Sequence, residues 1–242
     1  MKWNIGCSGF HYKEWKDKFY PTGLPQKKWF AFYCTQFDTL EMNVTFYRFP
    51  RIELMQKWFT ASPGNFKFSV KAPRLITHYK KLKDCKQLLD DFYNTIEKGL
   101  DQKLGAVLFQ FPPSFVYNST NIELVAGNLN RPGFMNVAEF RHSSWWNDEV
   151  YEKLGKEDIV FCGISHPLLP DMPVVNSKRA YFRFHGVPDL YYSQCDHELL
   201  QQITAKLSSQ KKCREAFIYF NNTASMAAIE NGLWLKKFTK PG

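Results

Sequence analysis

Several stretches of this chain set chemically capable side chains two residues apart. Glu139 and Arg141 alternate with Ala138 and Phe140, Glu41 and Asn43 with Leu40 and Met42, Lys71 follows Ser69 across Val70, and Arg183 and His185 follow Tyr181. A spacing of two places side chains on one face of an extended strand, and the residues between them are apolar. Each polar row therefore belongs to a strand whose opposite face is buried. Glu41 and Glu139 are the candidate general acid and base, with His185 as an alternative proton carrier. Lys71, Arg141 and Arg183 suit a phosphate or carboxylate, arginine offering a two-pronged match. Together these groups point to hydrolysis or lyase chemistry on a phosphorylated or otherwise anionic substrate.

The strands that carry these rows recur along the whole chain. Strands are expected over residues 3–8, 38–46, 66–72, 104–111, 136–142, 158–165, 180–185 and 215–220. Helical periods fall over 27–36, 51–61, up to about 98 with Gly99 as cap, 121–129, from an N-cap at Ser144 to about 154, 196–208, and from Asn222-Thr223 to about 237. The segment 166–178 shows no helical period, so the connection between strands six and seven is irregular. Eight strands alternating with about seven helices predict an α/β protein of the TIM-type (β/α)8 class, one domain over residues 1–242. A doubly wound open sheet is the second choice, weakened by the absence of a Gly-rich dinucleotide turn after strand one.

In such a barrel the polar parity looks inward and the strand ends gather at one mouth. Ser8, Glu41, Asn43, Lys71, Gln110, Glu139, Arg141, Arg183, His185 and Asn221 all stand near carboxyl ends of strands. The neighbouring loops add Tyr12, Arg74, His142 and Trp145 as candidate substrate contacts, and Asn222 with Thr223 as backbone donors at a helix start. A charged pocket is expected; the competing reading is a self-satisfied ion-pair network that caps the core.

The 242 residues can bury a large core, and 22 Phe, 12 Tyr and 7 Trp make rings its main material. A formal charge of +9 favours anionic partners, a small phosphorylated ligand or nucleic acid. For nucleic acid the candidate surface is the basic stretch 67–86 with the aromatic and lysine-rich loop 10–20, although that loop also reads as a lid packing its rings over the barrel. A scaffold whose partner docks on that aromatic surface is a third reading. Six cysteines lack zinc-knuckle or redox spacing, and no apolar leader or membrane-length run is present, which together predict a cytoplasmic protein with reduced thiols. No cofactor is expected, and a single divalent metal held by Glu41, Glu139 and a histidine is the alternative. Cys7 is the one plausible cysteine nucleophile, with a small buried hydrophobe as its plainer reading.

Seven ordered motifs carry a resemblance. Ile5-Gly6-Cys7-Ser8-Gly9-Phe10 with Trp15 and Phe19-Tyr20-Pro21 comes first, then Glu41-Met42-Asn43-Val44-Thr45-Phe46-Tyr47-Arg48-Phe49-Pro50 and Val70-Lys71-Ala72-Pro73-Arg74 with Thr77-His78. Leu108-Phe109-Gln110-Phe111-Pro112-Pro113-Ser114, Glu139-Phe140-Arg141-His142 with Ser144-Trp145, Arg183-Phe184-His185-Gly186 and Tyr219-Phe220-Asn221-Asn222 follow. The chain resembles the YecE-like family, the domain of unknown function 72, along essentially its whole length. Cys7, Phe10 and Met226 stand where that pattern has Thr, Trp and Gly. The resemblance implies a TIM-type barrel and no activity; likenesses of such barrels to endonuclease IV and xylose isomerase are analogies of fold.

Overall fold

A computed structural model describes residues 1–240. Eight parallel strands close into a barrel in sequence order: β1 (Lys2–Ser8), β2 (Thr39–Met42), β3 (Lys67–Lys71), β4 (Leu104–Phe111), β5 (Asn136–Phe140), β6 (Ile159–Ser165), β7 (Arg179–Phe184) and β8 (Glu215–Phe220). Around them run α1 (Trp29–Gln36), the single turn α2 (Val44–Tyr47), α3 (Ile52–Ala61), α4 (Lys86–Leu100), α5 (Ser119–Leu129), α6 (Asp148–Lys156), α7 (His197–Ser209) and α8 (Ala227–Phe238). The expected class and single-domain barrel are thus observed.

Alternation divides the apolar residues into two layers. Leu108, Val137, Val160, Ile164, Tyr181 and Phe217 fill the barrel interior, whereas Leu40, Val70, Phe109, Ala138, Phe182 and Ile218 face the helices. The outer layer is built largely from rings: Trp29 stacks on Tyr20 at 4.3 Å and Trp145 on Phe140 at 3.9 Å. Such pairs add roughly 0.5–1.5 kcal/mol each beyond area burial. The loop over residues 10–20 belongs to this layer, with Trp15 and Tyr20 fully buried and Trp15 Nε1 donating to the Ser225 carbonyl at 2.9 Å. It is a packed lid: Trp15, Phe19 and Tyr20 are withdrawn from the surface, whereas Phe10 and Tyr12 are only partly covered and His11 is exposed.

The connection from β6 to β7 has no helix. Its chain doubles back, Met172 bridging antiparallel to Ile164, and the Asn176 side chain accepts from Phe161 N at 3.0 Å and donates to Ile159 O at 2.9 Å. Gly163 makes room for that return, since a Cβ there would lie 3.0 Å from the Met172 carbonyl oxygen.

Several boundaries differ from the sequence pattern, three of them for a clear physical reason. Strand two stops at Met42, because Thr45 donates to the Lys71 carbonyl at 2.6 Å and pulls the chain into α2 instead of a longer strand. After β5, stacking of Trp145 on Phe140 confines residues 143–145 to a 3-10 turn, and α6 starts three residues later with Asn147 accepting from Val150 N at 3.1 Å. Ser144 is therefore no α-helical cap. Gly99 lies inside α4 and does not end it; the left-handed residue that follows the helix is Asp101, at φ +43°.

Gly99 instead sets how closely α3 and α4 approach. A Cβ there would lie 2.2 Å from Met55 Cβ. Gly99→Ala is expected to destabilise by about 1–3 kcal/mol through overpacking, a cost that outweighs the preference of up to about 1 kcal/mol for Ala in a helix. A lower urea midpoint is the expected readout, and a midpoint at or above wild type would show that the helices part freely.

Candidate active site

The inward-facing polar row gathers at the carboxyl ends of the strands, around Arg183. This side chain is 1% exposed, donating through Nη2 to Glu41 at 2.7 Å and through Nη1 to Glu139 at 2.6 Å. Both glutamates are fully buried. Glu41 also accepts from Ser8 Oγ and from the Tyr181 hydroxyl, each at 2.6 Å. Glu139 pairs in addition with Arg141 Nε. Beneath them the Tyr219 hydroxyl meets Thr39 at 2.5 Å and Ser69 at 2.9 Å, closing the polar layer onto the apolar interior.

Electrostatics follow from this pairing. Burial alone would raise the Glu139 carboxyl, but Arg141 and Arg183 together hold it well below the usual carboxylate range. His185 is pushed well below the ordinary histidine value by burial first, then by Arg141 and Arg183. Its Nε2 lies 3.2 Å from Arg141 Nη2 and 3.4 Å from Arg183 Nη1, both nearer than the Glu139 oxygen at 3.5 Å. Facing two guanidinium donors, Nε2 is the acceptor, so the neutral ring carries its proton on Nδ1. That nitrogen sits 2.9 Å from the Asn221 amide, which meets it with its oxygen after an end-for-end flip.

Lys71 occupies the same mouth without a carboxylate partner. Among the described residues its amine forms no ion pair; it donates to Gln110 Oε1 at 2.6 Å and stands 4.1 Å above the Phe46 ring centre. Burial, followed by the repulsion of Arg183, lowers it from the ordinary lysine value to about 7. His78 and His166 are likewise lowered to about 4, by burial and then by Lys71 or Arg141. Arg141 is 10% exposed, with Nε on Glu139, Nη2 near His185, and Nη1 unengaged by the described residues.

The structure thus brings together Ser8, Glu41, Lys71, Gln110, Glu139, Arg141, Arg183, His185 and Asn221. Tyr12 supports the group from below through a hydrogen bond to the Ser8 carbonyl, and Asn43 sits half-buried at the turn into α2. Other candidates are displaced. Trp145 points to the helical layer, fully buried, with Nε1 donating to Phe115 O at 2.6 Å. His142 turns to Ser144, its Nδ1 lying 2.8 Å from Oγ. Asn222 is fully buried and donates to the Ser193 carbonyl and the Asn231 side chain, while α8 begins only at Ala227, so Asn222 and Thr223 do not form a helix start. Arg74 stands outside the mouth, 5.7 Å and 5.5 Å from the rings of Tyr47 and Tyr79. Cys7 faces α8, and burial pushes its thiol far up.

Sequence reasoning passed over Tyr181 and Phe46. Tyr181 shares the parity of Arg183 and His185, which was signal enough to include it; Phe46 was hidden by the overlong strand. No group of three or more His, Cys, Asp or Glu side chains among the described residues is arranged to hold a metal, since Glu41 and Glu139 turn their oxygens to Arg183. A concavity of about 760 Å³ lies elsewhere, on the flank between α6 and α7 where the missing helix would sit. Its lining mixes Tyr151 and Met172 with Asp148, Glu152, Lys156 and Lys206, and it contains none of the candidate residues gathered at the mouth.

The family model for the protein of unknown function DUF72 matches residues 4–241. The chain is a member of the DUF72 family. It is 25% identical to the UPF0759 protein YunF of Bacillus subtilis, over 89% of this chain and 88% of that one, and 29% identical to YecE of Escherichia coli K12 over 38% of each. The crystal structure of a DUF72 family protein from Thermotoga maritima superposes with a TM-score of 0.88 at 30% identity, covering 98% of this chain and 99% of that one. No helix among the described residues is long and apolar enough to cross a membrane.

Removing Arg183 strands two buried carboxylates. Arg183→Met is expected to cost about 3–5 kcal/mol in urea unfolding at neutral pH, and a cost under about 1 kcal/mol would mean the network relaxes or takes up water. Lys71 has the opposite sign. Its folded value lies below its unfolded one, so the unfolded chain binds the extra proton between about pH 7 and the ordinary lysine range, and stability rises with pH through that window. Wild type is therefore expected to gain stability relative to Lys71→Met between pH 7 and 10, and parallel profiles for the two proteins would refute the lowered value.

Proposed function

We propose that this protein is an enzyme acting on a small anionic substrate by proton-transfer chemistry at the carboxyl-terminal barrel mouth. The observation that carries this reading is the division of the mouth cations. Arg183 is consumed by two carboxylates, whereas Lys71 keeps an amine with no counter-ion and Arg141 keeps an open guanidinium edge. The proton carrier is then Lys71, poised near neutrality as a general base should be, and not Glu41, Glu139 or His185, whose hydrogen bonds fix the arginines. Arg141 anchors the phosphate or carboxylate. No cofactor is needed for this step. A small ionic metabolite, and six cysteines with no disulfide, suit the cytoplasm.

In a thermal-shift screen of inorganic phosphate, sulfate and small carboxylates, at least one anion is expected to raise the wild-type Tm. A ligand at 100 times its Kd stabilises by about 2.7 kcal/mol. Arg141→Gln is expected to abolish the rise while remaining folded by circular dichroism. On a turned-over substrate, Lys71→Met is expected to lower kcat by about 10²–10⁴, the usual range for a lost acid or base. A screen without any shift, or one in which Arg141→Gln responds like wild type, would remove the anion site.

One observation favours nucleic acid as a second reading. Tyr47 and Tyr79 are 67% and 65% exposed on either side of Arg74, and Lys80, Lys81 and Lys83 follow. Exposed rings beside cations form the stacking surface that single strands require. In fluorescence anisotropy with a labelled single-stranded oligonucleotide, the double variant Tyr47→Ala/Tyr79→Ala is expected to lose about 1–3 kcal/mol per stacked base. Charge reversal at the three lysines is expected to flatten the salt slope. Absence of binding by wild type at low salt would exclude this reading.

A further inference from the structure

The three mouth residues Lys71, Gln110 and Arg141 come from consecutive strands. Lys71 ends β3, Gln110 lies on β4 and pairs in register with Glu139 of β5, and Arg141 follows two residues later on the same inward parity. Here the amine is held by a neutral amide oxygen and an aromatic face. The carboxylates that would ordinarily neutralise a buried lysine are already bound: Glu41 by Ser8, Tyr181 and Arg183, and Glu139 by Arg141 and Arg183. Among the described residues no carboxylate pairs with this ammonium, and Lys71 as a whole is 8% exposed.

From this cluster we infer that Lys71 is a covalent amine nucleophile, which forms an imine with the carbonyl carbon of a small 2-oxo acid whose carboxylate is held by Arg141. The inference rests on the anion site proposed above and names its substrate class. An amine used only as a base needs a substrate C–H or O–H; an amine that shares the mouth with a guanidinium whose edge is open also fits a carbonyl set next to a carboxylate. In the addition step the Lys71 nitrogen bonds to the carbonyl carbon and one amine proton passes to the oxygen. In the second step that C–O bond breaks, and the oxygen departs as water with the remaining amine proton. Water reverses both steps, and no oxidant or reductant is consumed.

The charged and titratable groups around the amine are Arg183 on β7, Glu41 on β2, Glu139 on β5 with Arg141 just beyond its end, and, in the turn after β3, His78. Burial, then Arg183 and Arg141, favour the neutral amine, and Glu139 and Glu41 oppose them, with the lowered value of about 7 as the balance.

Pyruvate with cyanoborohydride is the probe, read by intact mass and peptide mapping on the full-length protein. Wild type is expected to gain the mass of one pyruvic acid less one oxygen atom, mapped to Lys71. Its rate should level off above about pH 7, whereas adducts on exposed lysines keep rising toward their ordinary value of about 10.4. Lys71→Met should lose only this fast adduct, with folding checked by circular dichroism; the wild-type map decides the question even if the variant misfolds. Arg141→Gln should slow it at least about tenfold if a single charge-assisted contact of about 1.5–3 kcal/mol is lost. Adducts confined to exposed lysines overturn the inference. If pyruvate still raises the wild-type Tm through Arg141 in that case, the anion site stands and only the covalent step falls. If pyruvate neither raises the Tm nor forms the adduct, the imine falls, and the phosphate and sulfate arms of the thermal-shift screen decide the anion site separately.

Discussion

Arg183, clasped between Glu41 and Glu139 inside a closed barrel, is the interaction on which the mouth depends. A lone buried guanidinium or carboxylate is far too costly to keep, and three together are tolerable only when nearly every polar atom is matched. Ser8 on β1, Arg141 just beyond β5, and Tyr181 and His185 on and just beyond β7 supply those matches. The polar layer thereby joins β1, β2, β5 and β7 across the barrel axis, above an interior of ordinary apolar packing. Register matters for the same reason: a shift of one residue in any of these strands would turn a charged side chain into the helical layer.

The network turns apparent catalysts into supports. Glutamates across a barrel mouth invite an acid/base reading, yet a carboxylate held by two guanidinium groups gives up its basicity to them, and Glu139 is held so. His185 accepts from the same guanidinium groups and remains neutral. What these residues provide is orientation: Arg141 is fixed by Nε while Nη1 stays open. The two expectations for the mouth, a self-satisfied network and a charged binding site, apply to different groups of residues. The floor around Arg183 is the first, and Lys71 with Arg141 above it is the ground for proposing the second.

Much of this was legible in the sequence because alternation in a buried parallel strand leaves few alternatives. Polar residues at 39, 41, 69, 71, 139, 183 and 185 among apolar neighbours had to face inward, and they do. The failures cluster where side-chain packing overrides local pattern. Trp145 follows a polar strand end, but a ring stacked on Phe140 is drawn to the outer layer. Asn222 looks like a helix cap until Ser193, distant in sequence, and Asn231, on the face of α8, claim its amide. Thr45 shortens strand two through a bond to Lys71 of the next strand. Ser193 and Lys71 lie more than two dozen residues from the side chains they bind, and no short-range period announces the Phe140 or Asn231 contact, whereas strand parity shows within three residues.

A charge count explains why Lys71 and Arg141 are suited to different tasks. Arg183 and Arg141 cancel Glu41 and Glu139, and His185 is neutral, so the protonated amine is the one uncompensated charge of the cluster. An anion bound directly to Lys71 would supply the missing charge and draw a proton back onto it, abolishing the free amine. An anion bound to Arg141, two strands further round the barrel, does so more weakly, because interaction energy falls with distance and solvent at the mouth screens it. Retaining a neutral amine therefore favours a substrate whose anionic group goes to the guanidinium, leaving the lysine to face the atom at which bonds are made.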